Sequence, residues 1–126
     1  MKKQLNFKNC QKNIFDGNIS CLEVVQSYIE RIEKKKHLNI FLEVFKEESI
    51  SIARKIDKKI IDKSAGKLAG MIIAIKDNLC YKNHYVSASS KILKNFKSTF
   101  SATVIDRLLE EDAIIIGRVN CDEFAM

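Results

Sequence analysis

Only 4 glycines occur among the 126 residues, and none sits in a phosphate-cradling loop or a Gly-x-Ser-x-Gly elbow. That excludes the nucleotide-binding and hydrolase classes that depend on those turns. Proline is absent altogether. No apolar run approaches the roughly 20 residues that a membrane-spanning helix needs. Residues Met1 to Cys10 lack the apolar segment of a secretory signal, so the expected location is cytoplasmic, without membrane contact. The 4 cysteines, Cys10, Cys21, Cys80 and Cys121, form no Cys-x-x-Cys pair, and His37 and His84 stand at no metal-ligand spacing from them or from each other. Reduced, partly buried thiols and no bound metal are expected. A Cys80–His84 nucleophile pair lacks a third group to orient the imidazole, and a loop cysteine beside a surface histidine is the simpler reading.

Hydrophobic residues make up 46% of the chain and charged residues 30%, a balance typical of a globular protein. At this length a single domain can bury about two thirds of its unfolded surface. The formal charge of +6 comes mainly from lysine. It favours general attraction to anions, RNA included, over forked recognition of phosphates. Lys34-Lys35-Lys36 closes a helix where cations oppose the dipole, and Lys58-Lys59 lies on a polar helix face. Solvated helix surfaces therefore account for most of the basic residues, and a platform of aromatics interleaved with them is missing.

The stretch Gly70 to Asn78, Gly-Met-Ile-Ile-Ala-Ile-Lys-Asp-Asn, holds the strongest chemical signal. Ile72 to Ile75 form a short apolar run between Gly70 and the turn-prone Asp77-Asn78, which predicts an inner strand covered on both faces. Lys76 stands where that strand leaves the core. A lysine acts as a general base only when neutral, and desolvation is the usual way to lower its pKa by up to roughly 3 to 5 units. Asp77 would oppose that if it faced the amine, but successive strand residues point to opposite faces. By spacing alone, a solvated strand-end lysine remains the simpler reading.

Along the chain, residues 1 to 19 are polar, with Leu5, Phe7, Ile14 and Phe15 as docking points and a turn at Asp16-Gly17-Asn18. Ser20 and Glu23 fit a capping box opening a helix to about Lys35, with Leu22, Val25, Ile29 and Ile32 at helical period. Ile40 to Phe45 reads as a short strand. A helix from Lys46 carries Ile50, Ala53, Ile56 and Ile60 on one face. Tyr81 to Ala88 reads as extended, and Ser89 to Phe96 as a short helical turn with Ile92, Leu93 and Phe96 inward. Ser101 caps a helix with Val104, Ile105, Leu108 and Leu109 on its core side. Ala113 to Ile116 is a second apolar strand stopped by Gly117, and Asn120 to Met126 begins another turn or helix. The expected fold class is α/β: N-terminal helices, then a mixed, partly parallel sheet with helical crossovers.

Leu68-Ala69-Gly70 before the central strand, Lys76-Asp77-Asn78 at its end, Ser90-Lys91-Ile92-Leu93 with Asn95-Phe96, Ala102-Thr103-Val104, and Ile115 through Met126 occur in an order that resembles the amidase signature family. Within that family the likeness is to the branch formed by A subunits of tRNA-dependent amidotransferases. It is strong from about Gly66 onward and weaker over the N-terminal helices. The resemblance implies that Lys76 belongs to a serine, cis-serine, lysine triad, in which the lysine takes a proton through one serine while the other attacks an amide carbonyl. It further implies glutamine as the amide and subunits B and C as partners. The ammonia would amidate Glu-tRNA(Gln), with ATP and Mg used by the intact complex and no cofactor bound by this chain.

Both family serines and the glycine- and serine-rich oxyanion segment would follow Met126 in family order. Residues 1–126 are thus expected to be the N-terminal part of an incomplete amidase-signature fold, inactive alone. Ser87, Ser89 and Ser90 read as loop caps and not as substitutes. Ile72 stands where the family usually has proline, and Val119 and Cys121 where threonine and methionine are common. Two alternatives stay open: another amidase-signature hydrolase of small amides, and a non-catalytic truncated relic that docks on partner subunits.

Overall fold

The computed structural model describes residues 6–126, and Leu5 lies outside them. Four α-helices and three strands follow one another as α1 (Phe7–Phe15), α2 (Cys21–Lys34), β1 (Phe41–Val44), α3 (Lys46–Ile61), β2 (Ile72–Lys76), α4 (Thr103–Glu110) and β3 (Ile114–Val119). The strands form one mixed sheet in the order β1-β3-β2, with β1 antiparallel and β2 parallel to β3. The parallel pair is joined by the α4 crossover, as the alternation of apolar runs and helical periods predicts.

The sheet separates two apolar clusters. On one face Ile114 and Ile116 of β3 pack with Ile14, Val24, Val25, Ile29, Ala53 and Ile56 from the first three helices. On the other, Ile115 and Ile75 pack with Phe45, Tyr81 and Ile105. Alternation along the extended strand assigns neighbouring isoleucines to different clusters.

Local chemistry fixes the helices. Ser20 and Glu23 close the capping box at the start of α2. Asp57 of α3 adds a second cap across the helix pair, accepting from the amides of Cys21 at 2.7 Å and Leu22 at 3.2 Å. Burial and the same carboxylate push the Cys21 thiol up to about 12, which keeps it neutral. Gly70 has a φ of +86°, and a Cβ there would meet Ile14 Cδ1 at 2.5 Å, so glycine serves both the turn and the approach of α1.

Several sequence expectations are corrected. Residues Phe7–Phe15 form a helix, with Asn6 as cap and Ile14 buried, where only docking points were expected. β3, not β2, is the inner strand: β2 lies at the sheet edge, and Ala74 is exposed. Gly117 does not stop β3. The strand runs on to Val119, with a register shift between Ile73 and Ala74 of β2, and Gly117 admits the backbone of Glu43 in a space that a Cβ would fill. From Tyr81 to Ala88 there is only an isolated bridge, between Tyr85 and Lys97. Ile92 is 84% exposed and Phe96 is exposed, because the 91–93 turn is a 3-10 helix on the surface. Ala102, not Ser101, occupies the cap position of α4, since the Ser101 hydroxyl accepts from the Lys82 amide instead. Val104 is likewise exposed.

Candidate active site at the strand exits

β2 and β3 run parallel, so both leave the sheet at the same end, and the side chains there form one polar network. Lys76 and Asp77 diverge as alternation requires. Lys76 is exposed and its side chain makes no hydrogen bond or ion pair among the described residues, whereas Asp77 is 1% exposed. The desolvated amine expected of a general base is therefore not present in this chain. The physical reason is the edge position of β2, on which Lys76 and Ala74 share the uncovered side.

Asp77 accepts from the Ser87 hydroxyl at 2.5 Å, the Ser87 amide at 3.3 Å, the Ser89 amide at 3.2 Å and Arg118 Nη1 at 2.5 Å. Burial alone would raise its pKa. The donors from Ser87 and Arg118 and the loop amides outweigh that, holding the carboxyl below its ordinary range. Arg118 Nε also donates to Glu43 of β1 at 3.1 Å, so a chain of charge crosses the sheet from β1 through β3 to the end of β2.

The loop that Asp77 holds takes left-handed backbone at Ala88 and Ser89, with φ of 47° and 55°. Opposite it the chain after β3 does the same at Phe124 and Ala125, with φ of 53° and 59°. The two segments are tied together. The Ser89 hydroxyl donates to Asn120 Oδ1 at 2.6 Å and accepts from the Cys121 amide at 3.2 Å. The Ser90 hydroxyl donates to Glu123 at 2.8 Å, and the Phe124 amide donates to the Ala88 carbonyl at 2.8 Å. Non-glycine residues in this region are costly and cluster at functional sites. Ser87, Ser89 and Ser90 are thus occupied in holding the loop, as expected of caps.

His84 is not the surface histidine expected from the sequence: its side chain is 16% exposed, and a carboxylate of α3 orients the imidazole. Its Nε2 lies 2.6 Å from Glu48, its Nδ1 lies 2.9 Å from the Lys82 carbonyl, and its ring stacks on Tyr81 at 3.9 Å. Tyr81 donates to the same Glu48, and burial together with that carboxylate raises its phenol pKa. This cluster docks the loop on α3. No group of three His, Cys, Asp or Glu side chains suited to a metal ion occurs among the described residues. Sequence reasoning missed Asp77 as an anchor and missed Arg118. The only local signal was the alternation that sends Asp77 inward.

Comparison with known proteins places this arrangement. The sequence profile of the amidase family matches residues 23–126. The chain belongs to the amidase family. It is 44% identical over 122 residues to the A subunit of the glutamyl-tRNA(Gln) amidotransferase of Chlorobium chlorochromatii, covering 96% of this chain and 26% of that protein. The corresponding protein of Chlorobaculum tepidum is 42% identical over 121 residues, covering 95% of this chain and 25% of that one. The chain thus spans about a quarter of the length of the curated amidase-family relatives it matches. Among solved structures, an amidase family protein from Bacillus anthracis superposes with a TM-score of 0.86 at 28% identity, over 95% of this chain and 25% of that one. The native peptide amidase of Stenotrophomonas maltophilia superposes at 0.83 with 24% identity, over 90% of this chain and 24% of that one, a likeness of fold. No helix among the described residues of this amidase-family chain is long and apolar enough to cross a membrane.

Proposed function

We propose that residues 1–126 are the N-terminal portion of the glutamine-hydrolysing A subunit of a tRNA-dependent amidotransferase. Lys76 is the proton acceptor of its triad. The reading is carried by the 44% identity to the A subunit of a glutamyl-tRNA(Gln) amidotransferase across 96% of the chain. In the complete protein a serine Oγ loses its proton through a bridging serine to Lys76 Nζ and bonds to the side-chain amide carbon of glutamine. The C–N bond then breaks, ammonia leaves with a returned proton, and water releases glutamate from the serine ester. Both serines come from the other three quarters of the protein.

The Lys76 side chain is exposed in this chain, whereas a lysine general base works from a desolvated amine. The exposed amine therefore acquires its role only when the rest of the protein covers the open edge of β2. Subunits B and C are the partners in this reading, and ATP and Mg activate Glu-tRNA(Gln) on the partner side. The test is ammonia release from glutamine by purified 1–126 and by a full-length protein made by joining residues 1–126 to the remaining three quarters of the Chlorobium chlorochromatii relative. The expected result is no turnover by the first and turnover by the second once it is assembled with B and C. An inactive assembled complex, or an active 1–126, would contradict the proposal.

A further inference from the structure

We infer that the buried Asp77–Arg118 pair is the positioning device of this site, fixing the strand end from which Lys76 projects. The inference rests on the proposed role of Lys76 and adds two residues to it. Lys76 has no side-chain partner among the described residues, so its placement depends on its backbone alone. That backbone is pinned on both sides through Asp77. The Asp77 amide donates to the Val119 carbonyl at 3.0 Å, and the Asp77 carbonyl accepts from the Ala88 amide at 2.8 Å.

The carboxylate then does what the ladder cannot. It holds the 87–89 loop, with its two left-handed residues, against the strand end, while Arg118 ties the same carboxylate to β3 and, through Glu43, to β1. The Asp77 side chain has no exposed surface and that of Arg118 is 14% exposed, so the pair is shielded from solvent screening. An asparagine at 77 keeps one acceptor oxygen but loses the charge that matches Arg118. Arg118 then faces Glu43 without the matching charge of Asp77, and the 87–89 loop loses its charged anchor at the strand end while its bonds to the 120–124 segment remain. Displacement of a catalytic group by about 1 Å costs on the order of a hundredfold in rate.

The test uses the full-length protein carrying residues 1–126, assembled with B and C, and reads kcat and KM for glutamine per active site, counted by titration with an acylating inhibitor. Asp77→Asn should lower kcat by about a hundredfold with KM within about threefold, the pattern of a misplaced catalytic group. Arg118→Met should do the same, and Arg118→Lys, which keeps a cationic donor, should recover most of the loss. Should Asp77→Asn fail to assemble, Ser87→Ala removes the 2.5 Å hydroxyl bond while keeping the ion pair, and a smaller fall in kcat is expected. Wild-type kcat per active site in Asp77→Asn or, in its place, Ser87→Ala, or equal losses for Arg118→Met and Arg118→Lys, would overturn the inference. Lys76→Ala separates the two readings. If it stays active, the triad assignment fails and this inference with it. If it is inactive while Asp77→Asn turns over normally, positioning alone is overturned.

Discussion

The helix-covered face of the sheet and the loops beyond the strand ends hold together by different means. Under α1, α2 and α3 the contacts are mainly apolar, with Val25 and Ile114 fully buried and Ile56 nearly so, and charge enters at the periphery through the caps of Glu23 and Asp57 and the Lys46–Glu33 and Lys59–Asp112 pairs. At the strand exits apolar side chains are left in solvent, Ile92, Phe96 and Phe100 among them, and order comes from Asp77, Arg118 and the serine hydroxyls. The first region is stabilised by area removed from water, and the second by directed bonds that fix where a particular side chain stands. The difference teaches that the region proposed to carry the chemistry is ordered by polar bonds and the region that buries most of the helical surface by apolar packing.

Three substitutions or conditions sharpen that contrast. The largest effect belongs to the core. Ile56→Ala, at a position 2% exposed, should destabilise the chain by about 2 to 5 kcal/mol, measured by urea unfolding. A value below about 1 kcal/mol would mean that the helical face is loosely packed. Next is the cross-helix cap. Asp57→Ala removes the acceptor of two amides at the start of α2 and should cost about 0.5 to 2 kcal/mol, with Cys21 reacting faster toward a thiol reagent as the helix start frays. Unchanged stability and unchanged thiol reactivity would show that the capping box with Glu23 suffices.

The smallest effect is local and acidic. The Asp77 carboxyl is held below its ordinary range in the fold, so its contribution is present above the unfolded value of about 3.9 and is lost as pH falls through the folded value. Amide protection at Ser87 and Ser89 should therefore fall in strong acid before the helical face opens, and Asp77→Asn should remove that acid-dependent step. Protection that falls uniformly along the chain would contradict the division into two regions.

The helical face was also the more legible of the two. Ser20 with Glu23, and the apolar period through Ile29, Ala53 and Ile56, specify α2 and α3 locally, and the short apolar run of Ile72 to Ile75 specifies β2. α1 escaped because its inward side is little more than Cys10 and Ile14, too few apolar residues for a period to stand out among polar ones. The central place of β3 depends on long-range pairing, which no local run encodes. The exit network is harder still. Asp77 meets Ser87 at a separation of 10 residues and Arg118 at 41, and nothing in either neighbourhood marks them as partners. Lys76 was legible as a strand-end lysine from the apolar run before it, and as a catalytic candidate only through the resemblance to the amidase signature family. Its exposure was not, because that depends on what lies beyond the edge of the sheet.

The central claim is that the amine at the end of β2 accepts the proton in amide hydrolysis, and Lys76→Ala tests it most directly. In the assembled full-length protein carrying residues 1–126, the substitution should reduce glutamine hydrolysis by at least about a thousandfold. Thermal stability should stay within about a degree, because the side chain is exposed and has no partner among the described residues. Hydrolysis within a few fold of the unsubstituted protein would contradict it.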